Sequence, residues 1–174
     1  LGLGTGSLIS ALHRLANLFT PVVDRLIHEY RQAPVKHADE TGWRTDGQNG
    51  YVWLFATARL SLFRFRKTRS AAVPQEALGK KRLPGVLVVD RYQGYNRVPC
   101  AVQYCYAHLL REVKDLTQEF PQSSEVQAFG QTLVPLLTEA MGLRALSISH
   151  TAFQRQAQRV RRRIGKQEGK WLHG

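Results

Sequence analysis

Cysteine is scarce in this chain: Cys100 and Cys105 are its only two among 174 residues. Two unevenly placed thiols make no disulfide framework, so a reducing cytoplasm is the simpler compartment. Long apolar runs are missing too. No stretch approaches the roughly 20 residues that a membrane helix needs, which excludes a spanning segment and leaves a soluble chain. The opening Leu1-Gly2-Leu3-Gly4 lacks both Met and a basic n-region, so it is no signal peptide and reads as the edge of an excised piece. Acids are the third shortage. Against 25 Lys and Arg stand 13 Asp and Glu, a formal charge of +12 and a pI near 10.3. That imbalance favours a polyanionic partner, nucleic acid above all. At 43% hydrophobic content the chain can bury one good core with a smaller appendage, but not two large domains.

Helical periodicity opens the chain. Ser7 can cap a helix with Leu8, Leu12, Leu15 and Leu18 on one face, and Thr20-Pro21 starts a second with Val23, Ile27 and Tyr30 in register. Both read as packing helices over residues 1–33. Ala33-Pro34 ends them, because the residue before Pro is pushed toward extended geometry. A strand ending near Asp39 follows. Asp46-Gly47-Gln48-Asn49-Gly50 carries turn chemistry, and Tyr51–Ala56 is rich in aromatic and β-branched residues, so a hairpin results. Ser61–Arg66 alternates polar with apolar and reads as a strand wet on one side. The arginines there and just beyond, Arg59, Arg64, Arg66 and Arg69, fit an edge-strand device or phosphate contacts equally well. A short helix at 70–78 tolerates Pro74 only in its first turn.

Gly85-Val86-Leu87-Val88-Val89-Asp90 has the pattern of a strand buried on both faces that ends in a carboxylate. A fifth strand at 102–105 and a helix at 107–120 complete the series. Three strands in a meander, a helix, a buried strand, another strand and a helix give the α/β, ribonuclease-H-like arrangement: a mixed five-stranded sheet with flanking helices, here over residues 34–120. In that fold the first and fourth strands lie side by side at the sheet centre. Asp39 and Asp90 would then meet at adjoining strand ends, a site for hard divalent cations.

Three blocks carry a family resemblance: His37-Ala38-Asp39-Glu40-Thr41, then Val88-Val89-Asp90-Arg91-Tyr92-Gln93-Gly94-Tyr95-Asn96, then Cys105-Tyr106-Ala107-His108-Leu109-Leu110-Arg111-Glu112. In this order and spacing they resemble the DDE transposases of the bacterial insertion sequence 66 family. The resemblance is close over residues 8–120, and residues 121–174 resemble the start of a basic helical insertion. It implies DNA cleavage and strand transfer at transposon ends, with two magnesium or manganese ions as cofactors. It also implies DNA as partner, both transposon ends and target, a homo-oligomer when intact, and a bacterial cytoplasm near the nucleoid. Carried over by position, Asp39 and Asp90 are catalytic metal ligands.

The family's third acid lies in an Asn-x-x-x-Glu-Arg block that does not occur before Gly174; Glu112 and Glu119 are the internal candidates, and a piece lacking the acid would bind metal weakly and cut little. His108, in Cys105-x-x-His108, resembles a His that approaches the scissile phosphate in DDE enzymes. Arg91, Tyr92 and Tyr95 follow Asp90 and are candidates for holding a phosphate and stacking on an unpaired base, or for packing over the sheet end. Glu40 and Thr41 are expected to point away from Asp39. Beyond residue 121, interruptions at Gly130 and Pro135 predict one kinked helix or two short ones. Thr151–Ile164 then carries Arg155, Arg159, Arg161, Arg162 and Arg163, followed by Lys166 and Lys170; with no acid until Glu168 it reads as a phosphate-contacting helix. The alternatives are another metal-dependent nuclease of the same fold, or a DNA-binding fragment without activity.

Overall fold

Asp46 and Gly47 both take positive φ, 50° and 76°. This is the backbone of a type I′ turn, whose twist matches that of the strands it joins. It links β1 (Val35–Thr45) to β2 (Gln48–Ala56) with Thr45 opposite Gln48, and so fixes the antiparallel register back to His37 opposite Ala56. β3 (Ser61–Arg66) adds to β2 antiparallel; β4 (Val86–Val89) pairs with β1 parallel, and β5 (Ala101–Tyr104) pairs with β4 parallel. The resulting order, β3-β2-β1-β4-β5, places the first and fourth strands side by side at the centre, which is the ribonuclease-H-like sheet.

The structure, a computed structural model, describes residues 4–172, with side chains through residue 167. The Leu1–Leu3 start and the side chains of Glu168 and Lys170 lie outside the described residues. Two compact units divide the chain, Leu1–Tyr104 and Cys105–Gly174.

In the first unit one face of the sheet makes the core. Ala38, Trp53, Phe55, Leu87 and Val89 meet Tyr30, Tyr95 and α2 (Ala72–Leu78), which contributes Val73, Ala77 and Leu78. Pro74 does fall in the first turn of α2. Arg31 ties α2 down from its other end, donating from Nε to Ala77 O at 2.8 Å and from Nη2 to Glu76 O at 3.1 Å, where the helix leaves carbonyls unpaired. Gly85 sits at φ 72°, where any Cβ would fall 2.2 Å from Pro34 O. Only glycine lets the chain enter β4 so close to β1.

Several expectations are corrected. The two N-terminal packing helices are a single helix, α1 (Thr5–Gln32), that runs through Pro21. Of its apolar residues only Tyr30 is buried, and Leu12 and Leu18 are 64% and 74% exposed. Helical propensity on both sides outweighs the bond that Pro21 forfeits. β4 alternates half-buried with buried positions and is not buried on both faces. β3 is wet on one face, as its alternation predicts, and the wet face carries Phe63, 68% exposed, while Leu62 packs on the core and Arg64 and Arg66 turn toward Glu76 of α2, at 3.5 and 2.7 Å.

In the second unit, α3 (Tyr106–Glu119), α4 (Ser124–Gly142) and α5 (His150–Leu172) pack around Val113, Leu133 and Leu137. α4 is one helix, capped by Ser123, whose side chain accepts from Val126 N. Gly130 allows the approach to α3: a Cβ there would lie 2.4 Å from Thr117 Cγ2. Ser149 caps α5, accepting from Ala152 N at 3.3 Å.

Candidate active site

The parallel ladder sets Val35, Lys36 and His37 level with Val86, Leu87 and Val88. Two residues beyond the last pair on each strand come Asp39 and Asp90. Asp39 continues the outward His37 position of β1, away from the core positions Lys36 and Ala38, whereas Asp90 follows the end of β4 and brings Oδ2 to 3.8 Å from Arg69 Nη2, the atom that also meets Glu40. Asp39 is not at a strand tip as expected: β1 continues to Thr45 beside β2. What ends at this level is β4, at Val89, so the pair lies on a step in the sheet where β1 loses its parallel neighbour. Neighbouring strands lie about 4.8 Å apart.

The surroundings are polar and charged. Asp39 Oδ1 accepts from Glu40 N at 2.9 Å and Asp90 Oδ1 from Tyr92 N at 3.0 Å. Glu40, on the other face from Asp39, has a side chain only 1% exposed. Its Oε2 accepts from the Tyr95 hydroxyl at 2.5 Å and its Oε1 pairs with Arg69 Nη2 at 2.6 Å. Arg69 Nη2 lies 3.8 Å from Asp90 Oδ2. Burial chiefly raises the Tyr95 hydroxyl above the usual tyrosine range, with the hydrogen bond to Glu40 and the charges of Glu40, Asp90 and Asp39 adding to it. The hydrogen bond to Glu40 chiefly raises Arg69 in turn. Thr41, two residues past Asp39, shares its face, contrary to expectation.

The two tyrosines after Asp90 pack over the sheet end. Tyr95 is 1% exposed and meets Trp53 edge-to-face, so it has no ring face to offer a base. Tyr92 lies under the Arg69 guanidinium, 4.2 Å from its ring centre, and donates its hydroxyl to Arg69 O. Arg91 is exposed. Sequence reasoning missed the Glu40, Arg69 and Tyr95 network; the inward parity of Glu40 on β1, next to an acid already singled out, was the available signal. It also missed Lys36, fully buried, whose ammonium donates to Ala33 O at 2.8 Å and Pro84 O at 2.5 Å. Burial pulls that ammonium below the usual lysine range, and nearby Cys100 opposes the pull.

His108 and Glu112 belong to the second unit, one turn apart on α3, half-buried and exposed respectively. Glu119 is exposed near the end of the same helix. On α5, Arg155, Arg159, Arg162 and Lys166 recur at helical spacing and, with Gln158 and Arg163, line one shallow groove; Arg161 is not part of it. Arg163 finds an acidic partner outside its own helix, Glu139 of α4, at 2.6 Å. Among the described residues no three His, Cys, Asp or Glu side chains cluster closely enough to hold an ion by themselves, and no helix is long and apolar enough to cross a membrane.

The model of the Transposase IS66 family matches residues 1–174, the whole chain. The chain belongs to that family. No curated protein matches it. Several chains of solved structures are similar to it, two of them as follows. One is a chain of the simian T-cell lymphotropic virus intasome in complex with PP2A regulatory subunit B56 gamma, at 9% identity and a TM-score of 0.36 over 57% of this chain and 47% of that one. The other is the HTLV-2 integrase catalytic core domain in complex with magnesium, in a trimeric form, at 8% identity and 0.33 over 70% of this chain and 91% of that one. This family member therefore spans less than half the length of the intasome chain.

Proposed function

We propose that this chain carries the first two acids of a DDE transposase, acting in metal-dependent DNA cleavage and strand transfer at transposon ends. The observation that supports this best is the parallel pairing of β1 with β4 through His37 and Val88, two residues after which Asp39 and Asp90 follow in sequence. Asp39 and Asp90 would hold magnesium or manganese, because carboxylate oxygens are the hard donors that these ions take. When bound, the ions supply charge neutralisation at the attacking and leaving oxygens of a phosphodiester. The chain's own residues orient the donors: the Tyr92 amide fixes Asp90, and the Glu40 amide fixes Asp39. Glu112, on α3, is this chain's own candidate for the third acid and His108 a candidate donor to phosphate; the proposal rests on neither. The α5 groove residues, Arg163 among them, and Arg91 are the proposed DNA contacts, and Arg161, outside the groove, is left out of that set; Tyr92 and Tyr95 serve the site by packing. DNA is the proposed partner, in a homo-oligomer of the intact protein in the bacterial cytoplasm.

Two carboxylates make a weak site, so the chain by itself is expected to bind manganese weakly and to cut little. The test is calorimetric titration of manganese into the wild type, Asp39→Asn and Asp90→Asn, beside a nicking assay on DNA carrying transposon ends. Binding that both substitutions abolish supports the reading. Binding indifferent to both sinks it. A second reading, a DNA-binding module without activity, is favoured by the α5 basic groove; it would show as DNA binding with no metal dependence at all.

A further inference from the structure

Arg69 stands between two acids of unequal claim. Its Nε donates to Glu40 Oε1 at 2.7 Å and its Nη2 lies 2.6 Å from the same oxygen, whereas Asp90 Oδ2 is 3.8 Å away, within reach but without a hydrogen bond. Glu40 is closed in at 1% exposure and braced from the far side by the Tyr95 hydroxyl, while the Asp90 side chain is 21% exposed. The guanidinium is steadied on its other face by the Tyr92 ring. Its carboxylate partner is thus fixed from behind, and the second carboxylate is left to the solvent side.

We propose that Glu40 is a positioning residue that holds Arg69 off Asp90 and so keeps the Asp90 carboxylate open to a divalent cation. The physical basis is competition for one anion. A guanidinium makes charge-assisted bonds to whichever carboxylate is presented best, and one seated on Asp90 would repel a cation and occupy its oxygen. Glu40 wins because it is buried and already aligned. Replacing it by the isosteric amide removes the charge but keeps the shape, and Arg69 then has a better partner one short swing away. This inference rests on the proposed cation site at Asp39 and Asp90, and adds to it a residue that touches neither the cation nor DNA.

The experiment compares wild type, Glu40→Gln, Arg69→Gln and the double variant, all folded by circular dichroism, in manganese titrations. Glu40→Gln should weaken manganese binding at least about 10-fold, the scale on which groups behind a ligand act. Arg69→Gln should bind as wild type or tighter, and the double variant should recover to within about 3-fold of wild type, since the competing cation is gone. A merely structural Glu40 would give no recovery. Unchanged binding in Glu40→Gln, or a double variant no better than the single, overturns the proposal. A metal-free arm separates this failure from failure of the cation site. With chelator present, Asp90→Asn should lower the urea midpoint more in the Glu40→Gln background than in wild type, because Arg69 has moved onto Asp90; equal shifts overturn the inference whatever manganese does.

Discussion

Tyr95 donates its hydroxyl to Glu40 Oε2 from beneath the sheet, with its ring edge-to-face on Trp53 and the hydroxyl held among the charges of Glu40, Asp90 and Asp39. A phenol so placed cannot ionise without opening the core. Tyr30, also fully buried, donates to His37 O at 3.2 Å and is likewise raised above the tyrosine range, mainly by burial.

The first prediction is alkaline. Both tyrosines titrate higher folded than unfolded, so the folded state binds more protons once pH passes the unfolded value of about 10. Their contribution is fully present below that pH and is lost as pH rises above it. Stability should therefore fall steeply above about pH 10, with Tyr30 and Tyr95 remaining protonated until the chain unfolds. Ultraviolet titration of tyrosinate beside circular dichroism checks this, and Tyr95→Phe should flatten the alkaline limb.

Phosphate binding along α5 should follow the groove and not the number of arginines. Replacing Arg155, Arg159 and Arg162 together by Ala should weaken duplex binding and lower the salt slope by about one for each phosphate no longer neutralised. Arg161→Ala, outside the groove, should change the slope little. Fluorescence anisotropy at several salt concentrations measures both.

Two glycines with nearly equal φ should respond very differently to Ala. Gly47, at 76°, has open space around its missing Cβ, so Gly47→Ala meets only backbone strain of about 1 kcal/mol. Gly85, at 72°, adds a collision with the Pro34 backbone, so Gly85→Ala should cost about 3 kcal/mol or more. Urea midpoints of the two variants settle the order.

Burial, not charge, should also rank Lys36 above Glu76. Lys36→Ala leaves two carbonyls without their donor and opens a cavity, a loss of about 3 kcal/mol or more. Glu76→Gln weakens two ion pairs in which Glu76 itself is 46% exposed, and should cost about 1 kcal/mol. Denaturant unfolding of both variants is the measurement.

The sheet was legible because its signals are local. The Asp46-Gly47 turn, the Ser61–Arg66 alternation and the β-branched run before Asp90 each name an element, and the element order then brings the first and fourth strands together. The parallel pairing of β1 with β4, which Asp39 and Asp90 follow in sequence, comes from that order. What escaped were relations that no local pattern encodes. Arg64 and Arg66 share their face with Leu62 and meet Glu76 on α2, and Glu40 is buried because Tyr95 and Arg69, distant in sequence, close around it. α1 ran through Pro21 because a breaker residue states a penalty and not an outcome. Lys36 sat unnoticed in a strand because buried ammonium groups are too rare to expect from composition.

The free length of α1 leaves one thermodynamic debt open. From Thr5 to Arg25 every residue of the helix is exposed, yet Leu8, Leu12, Leu15, Phe19 and Val22 follow one another at alternating steps of four and three, a greasy seam. Isolated helices gain little from propensity alone, so these roughly six turns draw almost no cohesion from the rest of their unit beyond the anchorage at Tyr30 and Arg31. Their persistence in water is therefore conditional, rising with anything that wets the seam with hydrocarbon and falling with dilution.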